Sequence, residues 1–138
     1  MNYTELLDIV RSDPRYPVAA YVFTIESLDY TSAKITHAEE VGDRTPGHIT
    51  GREFVLGMIE FARKELGVFA RTFFELWNIQ TRDDIGEIVF NLIDAEFLSK
   101  TESDQRSDFH NLLSLEQALT EGVTIHWDST AALRRRVR

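Results

Sequence analysis

From Thr50 to Leu98 apolar residues return at helical spacing in three successive runs, and this periodicity restricts what the chain can fold into more than any motif it carries. Thr50 and Glu53 stand in the S/T-x-x-E arrangement, where a hydroxyl and a carboxylate each satisfy an orphan backbone N–H at a helix start. Phe54, Met58, Phe61 and Ala62 then recur at three and four residues, with Val55, Ile59 and Leu66 widening the stripe. A helix buried on more than one side is therefore predicted from Thr50 to a stop at Gly67, the residue that most easily takes a left-handed cap conformation. Phe69, Ala70, Phe73, Leu76 and Trp77 give a second helix to Asn78, with Arg71 and Glu75 on its other face. Thr81 and Asp84 resemble another cap, and Asp83 and Asp84 lie where the helix dipole favours negative charge. Ile85, Ile88, Val89, Leu92 and Ile93 carry a third helix as far as Leu98. These three helices are the expected core.

Ahead of them, Thr4 caps a short helix with Leu6, Leu7 and Val10 inward, ending before Asp13-Pro14, where proline disfavours continuation. Pro17 suits the first turn of a further helix through Ala19, Ala20, Phe23, Ser27 and Leu28, although residues 21–25 would also suit a strand. From Thr31 to His48 the periodicity is lost while Glu39, Glu40, Gly42, Asp43, Pro46 and Gly47 collect, so a long loop is expected. Beyond Leu98 the polar residues 99–108 separate Phe97-Leu98 from Phe109, the pattern of two short strands in a hairpin. Ser114 with Gln117 can cap a short helix bearing Leu115, Ala118 and Leu119, closed by Gly122. Val123, Ile125 and Trp127 then alternate with polar residues, as in a half-buried strand or an extended arm. The expected fold class is mainly α: one helical domain over residues 1–128 with a small β-hairpin or C-terminal arm, and a basic, flexible tail over 129–138. A helix at 68–78, a helix at 81–96 and a hairpin after it also resemble a winged helix, whose second helix would read DNA.

The 138 residues suffice for one domain that buries about two thirds of its unfolded surface, and are too few for two cores. Residues 1–132 hold 11 of the 15 basic residues and all 23 acidic ones, a net charge of −12, against the arginines at 134, 135, 136 and 138. Such a body repels phosphate backbones, and residues 83–108, with eight acids and two bases, would oppose a DNA-reading role. Nucleic acid is thus an unfavoured partner. The absence of cysteine excludes disulfides, thiolate metal sites and cysteine nucleophiles. Residues 1–13 lack the basic and apolar regions of a leader, and no apolar run approaches the roughly 18 residues of a membrane span. A cytoplasmic protein is expected.

Tyr16-Pro17, Ala20-Tyr21, His48-Ile49-Thr50-Gly51, Phe69-Ala70, Trp77-Asn78-Ile79 and the run from Asp84 to Leu92 together resemble a bacterial family of this length, met mainly in planctomycetes and verrucomicrobia. The resemblance spans residues 14–121, with Gly86-Glu87-Ile88-Val89-Phe90-Asn91-Leu92 its most specific part. It implies a single-domain bacterial protein. It carries over no activity and no functional residue.

Residue types able to do chemistry are present without a recognisable register. His37, His48, His110 and His126 are far apart and form no HExxH or related set. His48 and Glu53, at a capped helix start behind a long loop, are the candidate catalytic or anion-binding pair. Glu102, Asp104 and Asp108, joined by Asp94 and Glu96, are candidate ligands for a hard cation, although the DxDxDG register of a calcium loop is missing. Ser27, Ser32, Ser99 and Ser114 lack a nucleophile-elbow context, and the glycines form no phosphate-binding loop, so no cofactor is expected. Trp77, Trp127, Tyr16, Tyr21 and Tyr30 could stack on a ligand but at helical spacing belong in a core. The leading expectation is a non-catalytic protein-interaction or adaptor domain that binds a protein partner or itself as a homodimer. The alternatives are a winged-helix-like nucleic-acid-associated regulator and a small enzyme or anion-binding protein using His48 and nearby carboxylates.

Overall fold

The computed structural model describes residues 3–45, 47 and 49–97. Within them the chain forms α1 (Tyr3–Ser12), α2 (Val18–Glu40), α3 (Gly51–Leu66), a 3-10 turn η1 (Gly67–Phe69), α4 (Ala70–Leu76) and α5 (Arg82–Asp94), with no strand among the described residues. The mainly helical expectation holds. The hairpin, the C-terminal arm, the helix at 114–122 and the basic tail all fall outside the described residues.

The helix ends follow local rules. At α3 the Thr50 hydroxyl accepts from the Glu53 N–H at 3.1 Å and the Glu53 carboxylate accepts from the Thr50 N–H at 3.1 Å, the reciprocal cap read from the sequence. At α5 one Asp84 oxygen accepts from the N–H groups of Gln80 and Thr81 at 2.8 and 2.9 Å. Three helices stop in the same way, with a left-handed residue two places past the last helical one and paired bonds back into the final turn. Asp43 N–H meets Ala38 O at 2.8 Å behind Gly42, Ile79 N–H meets Phe74 O at 2.8 Å behind Asn78, and Phe97 N–H meets Leu92 O at 2.9 Å behind Glu96. Ile79 and Phe97 then fold back onto the core, the apolar contact that accompanies this stop.

The largest helix–helix contact is α2 on α3. Along α2 the buried stripe is Ala20, Thr24, Ser27, Thr31, Ile35 and Ala38, mostly small residues. The hydroxyls of Thr24, Ser27 and Thr31 donate to the carbonyls of Ala20, Phe23 and Ser27, one turn back, at 2.7 to 2.8 Å. Each buried hydroxyl is satisfied inside its own helix, so none needs a partner from α3 and the two backbones come close. The approach is tightest at Gly57, where a Cβ would stand 1.9 Å from Thr31 Oγ1. Around this crossing pack Leu6 of α1, Tyr16 and Tyr21, Phe54 and Met58 of α3, Phe74 of α4, and Ile85, Ile88 and Leu92 of α5.

Four expectations are corrected. Residues 31–40 are helix rather than loop, because Thr31, Ile35 and Ala38 continue the buried stripe of α2, where Ile35 alone is large and apolar and makes no apolar pattern by itself. Leu7 is exposed, and α1 buries only Leu6 and Ile9. The third expected helix ends at Asp94, four residues early, where Glu96 turns left-handed. The core reaches beyond the three helices expected to form it: Tyr16 and Tyr21, read from the sequence as core residues, are among its largest fully buried side chains. The winged-helix arrangement finds no support: its strands lie outside the described residues, and the outer side of α5 is strapped by the 13–16 linker. Asp84 accepts from Tyr16 Oη at 2.6 Å, Glu87 meets Arg15 Nη2 at 3.4 Å, and Asn91 Nδ2 donates to Asp13 at 2.9 Å.

Adding a methyl group at the tight crossing should be costly. Gly57→Ala is expected to lower stability in urea denaturation by about 1–3 kcal/mol, as in other overpacked cores, and Thr31→Ala in the same chain should return part of that loss. A Gly57→Ala chain as stable as the wild type would contradict the close approach.

Candidate interaction surface

One aromatic chain links the core to solvent. Tyr30 and Phe61 have ring centroids 5.1 Å apart, Phe61 and Phe23 5.2 Å, Phe23 and Trp77 5.0 Å, and Trp77 and Phe73 5.6 Å, with Phe74 edge-on to Phe23 at 5.9 Å. Such tilted and edge-on geometries are those that ring quadrupoles favour. Ala70 and Phe74 turn the inner side of α4 into the core. Phe69, Phe73 and Leu76, spaced by four and three residues, form a neighbouring stripe that the core does not cover. Phe69 is 62% exposed and Leu76 70%, with Val68 beside them at 91%.

Single exposed apolar residues are ordinary, but a run of large ones within one short stretch, from η1 into α4, is not. Leaving three such side chains in water forgoes on the order of 5 kcal/mol of burial. The turn that presents them depends on Gly67, whose φ of +56° and ψ of −129° suit a residue without Cβ. The sequence pattern did mark Phe69, Phe73 and Leu76, but as core. On so short a helix the inner and outer stripes are both apolar, and composition cannot separate them.

Of the candidate catalytic or anion-binding pair, the structure describes Glu53 alone. His48, Glu102, Asp104 and Asp108 lie outside the described residues, as do His110 and His126. Glu53, expected beside His48, is buried and holds Arg44 bidentately, Arg44 Nε to Oε2 at 2.8 Å and Nη2 to Oε1 at 2.9 Å. Arg44 is itself buried, and its Nη1 also donates to Glu39 and, at 3.2 and 3.4 Å, to the carbonyls of Thr45 and Gly47. Its hydrogen bond to Glu53 holds the guanidinium firmly protonated. Glu39, Thr45, Gly47 and Glu53 thus converge on one cation at the start of α3. No sequence rule could find this pair, because the two charges meet only when α2 and α3 pack.

A second polar network surrounds the α1–α2 linker. The Asp13 carboxylate accepts from Arg15 Nε at 2.8 Å, Arg15 Nη2 at 2.6 Å and Asn91 Nδ2 at 2.9 Å, and Asn91 also donates to Tyr21 Oη at 3.0 Å. The Arg15 hydrogen bonds, joined by that from Asn91, hold the Asp13 carboxyl well below the usual carboxylate range. Burial, then the hydrogen bond to Asp84, push the Tyr16 phenol up. Among the described residues no group of three or more His, Asp or Glu side chains is placed to hold a metal ion. Also among them, no helix is long and apolar enough to cross a membrane.

Two measurements test these polar roles. Arg44→Met, which strands a buried carboxylate, should cost about 3–5 kcal/mol in urea denaturation. Adding Glu53→Gln, which keeps a capping side chain without the charge, should recover part of that loss, whereas strict additivity would show that the two groups are not coupled. For Asp13 the depressed native value means that its contribution is fully present above the ordinary value of 3.8 and fades as pH falls below it. The stability gap between wild type and Asp13→Asn, on the order of 2 kcal/mol at neutral pH, should therefore close on acidification below that value, and a pH-independent gap would contradict the assignment. Comparison with family models, curated proteins and solved structures gives no match, so the reading of this surface rests on its own geometry.

Proposed function

We propose that the chain is a non-catalytic protein-interaction module of the cytoplasm whose docking surface is the stripe of Phe69, Phe73 and Leu76 with Val68. The observation that carries this reading is the exposure of large apolar side chains on η1 and α4, continuous through Trp77 with the aromatic core. A rigid element bearing aromatic anchors is what a protein partner, a second copy included, requires of a binding face. Glu53, the described member of the candidate catalytic pair, supports it from the other side, since its carboxylate is engaged in holding Arg44 and capping α3.

Kinship with the bacterial family belongs to the same proposal. Tyr16, Tyr21, Asp84, Glu87 and Asn91, which lie in the stretches that carry the resemblance, sit together where the 13–16 linker and the start of α2 meet α5. Chains that share them would share this packing, while partner choice would follow the α4 stripe.

The test is paired light scattering and pull-down with tagged full-length chain and its Phe69→Ser/Leu76→Ser variant, with circular dichroism to verify retained helix. Wild type should self-associate or retain a protein that the variant binds at least about tenfold more weakly, the loss expected when two anchors of roughly 1 kcal/mol each are removed. Identical monomers with identical retained proteins would contradict the reading.

A further inference from the structure

Resting on the interaction reading above, we propose that the α4 stripe is covered by the chain's own residues 109–127, so that an outside partner binds in competition with an intramolecular one. The chain beyond Phe97 points to this occupant. Residues 99–108 are all polar, and after them Phe109, Leu112, Leu113, Leu115 and Leu119 recur largely at helical spacing, ahead of the alternation that ends at Trp127. That is a ten-residue tether leading to an apolar segment with its own need for burial.

Reach permits the contact. Ten extended residues span roughly 33 Å, comparable with the roughly 30 Å diameter of a compact domain of this size. Residues 1–97 hold 17 acids and 9 bases, and the segment 109–127 holds two acids and no lysine or arginine, so the contact would rest on apolar burial and not on charge. Tethering decides between this occupant and a second copy. Joining two surfaces through a tether this short gives an effective concentration on the order of 1 mM, and a separate molecule would have to match that to compete. An intrinsic affinity of only about 0.1 mM would then leave covered molecules about tenfold in excess over open ones.

The absence of cysteine makes the test direct. Thr72 is exposed on α4, so Thr72→Cys in the full-length chain takes a single nitroxide whose relaxation enhancement is read by NMR. Three samples are compared: isotope-labelled and spin-labelled chain, a mixture of isotope-labelled chain without nitroxide and spin-labelled chain without isotope, and the first sample carrying Phe69→Ser/Leu76→Ser. Broadening of amides within 109–127 is expected in the first sample, absent from the mixture and lost in the third while the helical amides keep their shifts. Broadening in the mixture would mean that a second copy is the occupant; it would overturn this inference and leave the interaction reading standing. Broadening that survives the double substitution would place the segment elsewhere and overturn it as well. No broadening in any sample would overturn the intramolecular cover, and the light-scattering and pull-down comparison would then decide the interaction reading separately.

Discussion

Three buried hydroxyls on α2, each bonded to a carbonyl one turn back in its own helix, set how near α3 can come, and the remaining elements are arranged around that approach. Hydroxyls that sought partners across the interface would have held the helices apart or left unmet donors, and larger apolar residues would have done so by volume. Gly57 completes the fit from the other side. With the two backbones close, long side chains are needed only at the flanks, where Tyr16, Tyr21, Phe54, Met58 and Phe74 fill the angles between helices.

The acidic character of the chain is consistent with this frame because the charges nearest the core are paired. Arg44 binds Glu53 and Glu39, and Arg15 binds Asp13 and Glu87. These pairs contribute less as isolated attractions than as fasteners for segments without regular structure, the 41–50 loop and the 13–16 linker. A buried carboxylate without its cation would be costly, so the buried Arg44–Glu53 pair specifies where its segment must lie. Arg15 lies over the Tyr16 ring, 5.2 Å from its centre, which adds a cation–π contact to the same strap.

Much of the helical layout was legible in the residues, and the reasons differ from element to element. The α3 start was readable because a capping box is a local code, and its stop because Gly67 is needed where φ is positive. The second half of α2 was not, because Thr31 and Ala38 do not look like core until their satisfied hydroxyl or small size is seen against a neighbouring helix. Glu53 was singled out correctly as a cap but also as a chemical group, and its pairing with Arg44 depends on tertiary contact that no spacing encodes. The apolar residues of α4 were visible, while their exposure was not, since inner and outer stripes of a seven-residue helix carry the same chemistry.

Once the helices have packed, the described residues still present the apolar stripe of Phe69, Phe73 and Leu76, which the frame does not use. That division holds only if the crossing of α2 and α3 is the stable centre of the molecule. Native-state amide exchange measures this most directly. Thr31, Ile35 and Met58 are expected to exchange only through global unfolding, with the slowest rates in the chain and a common dependence on denaturant. Exchange of residues 31–40 through low-energy local opening, while α3 stays protected, would show that the second half of α2 is not part of the frame and would contradict the account.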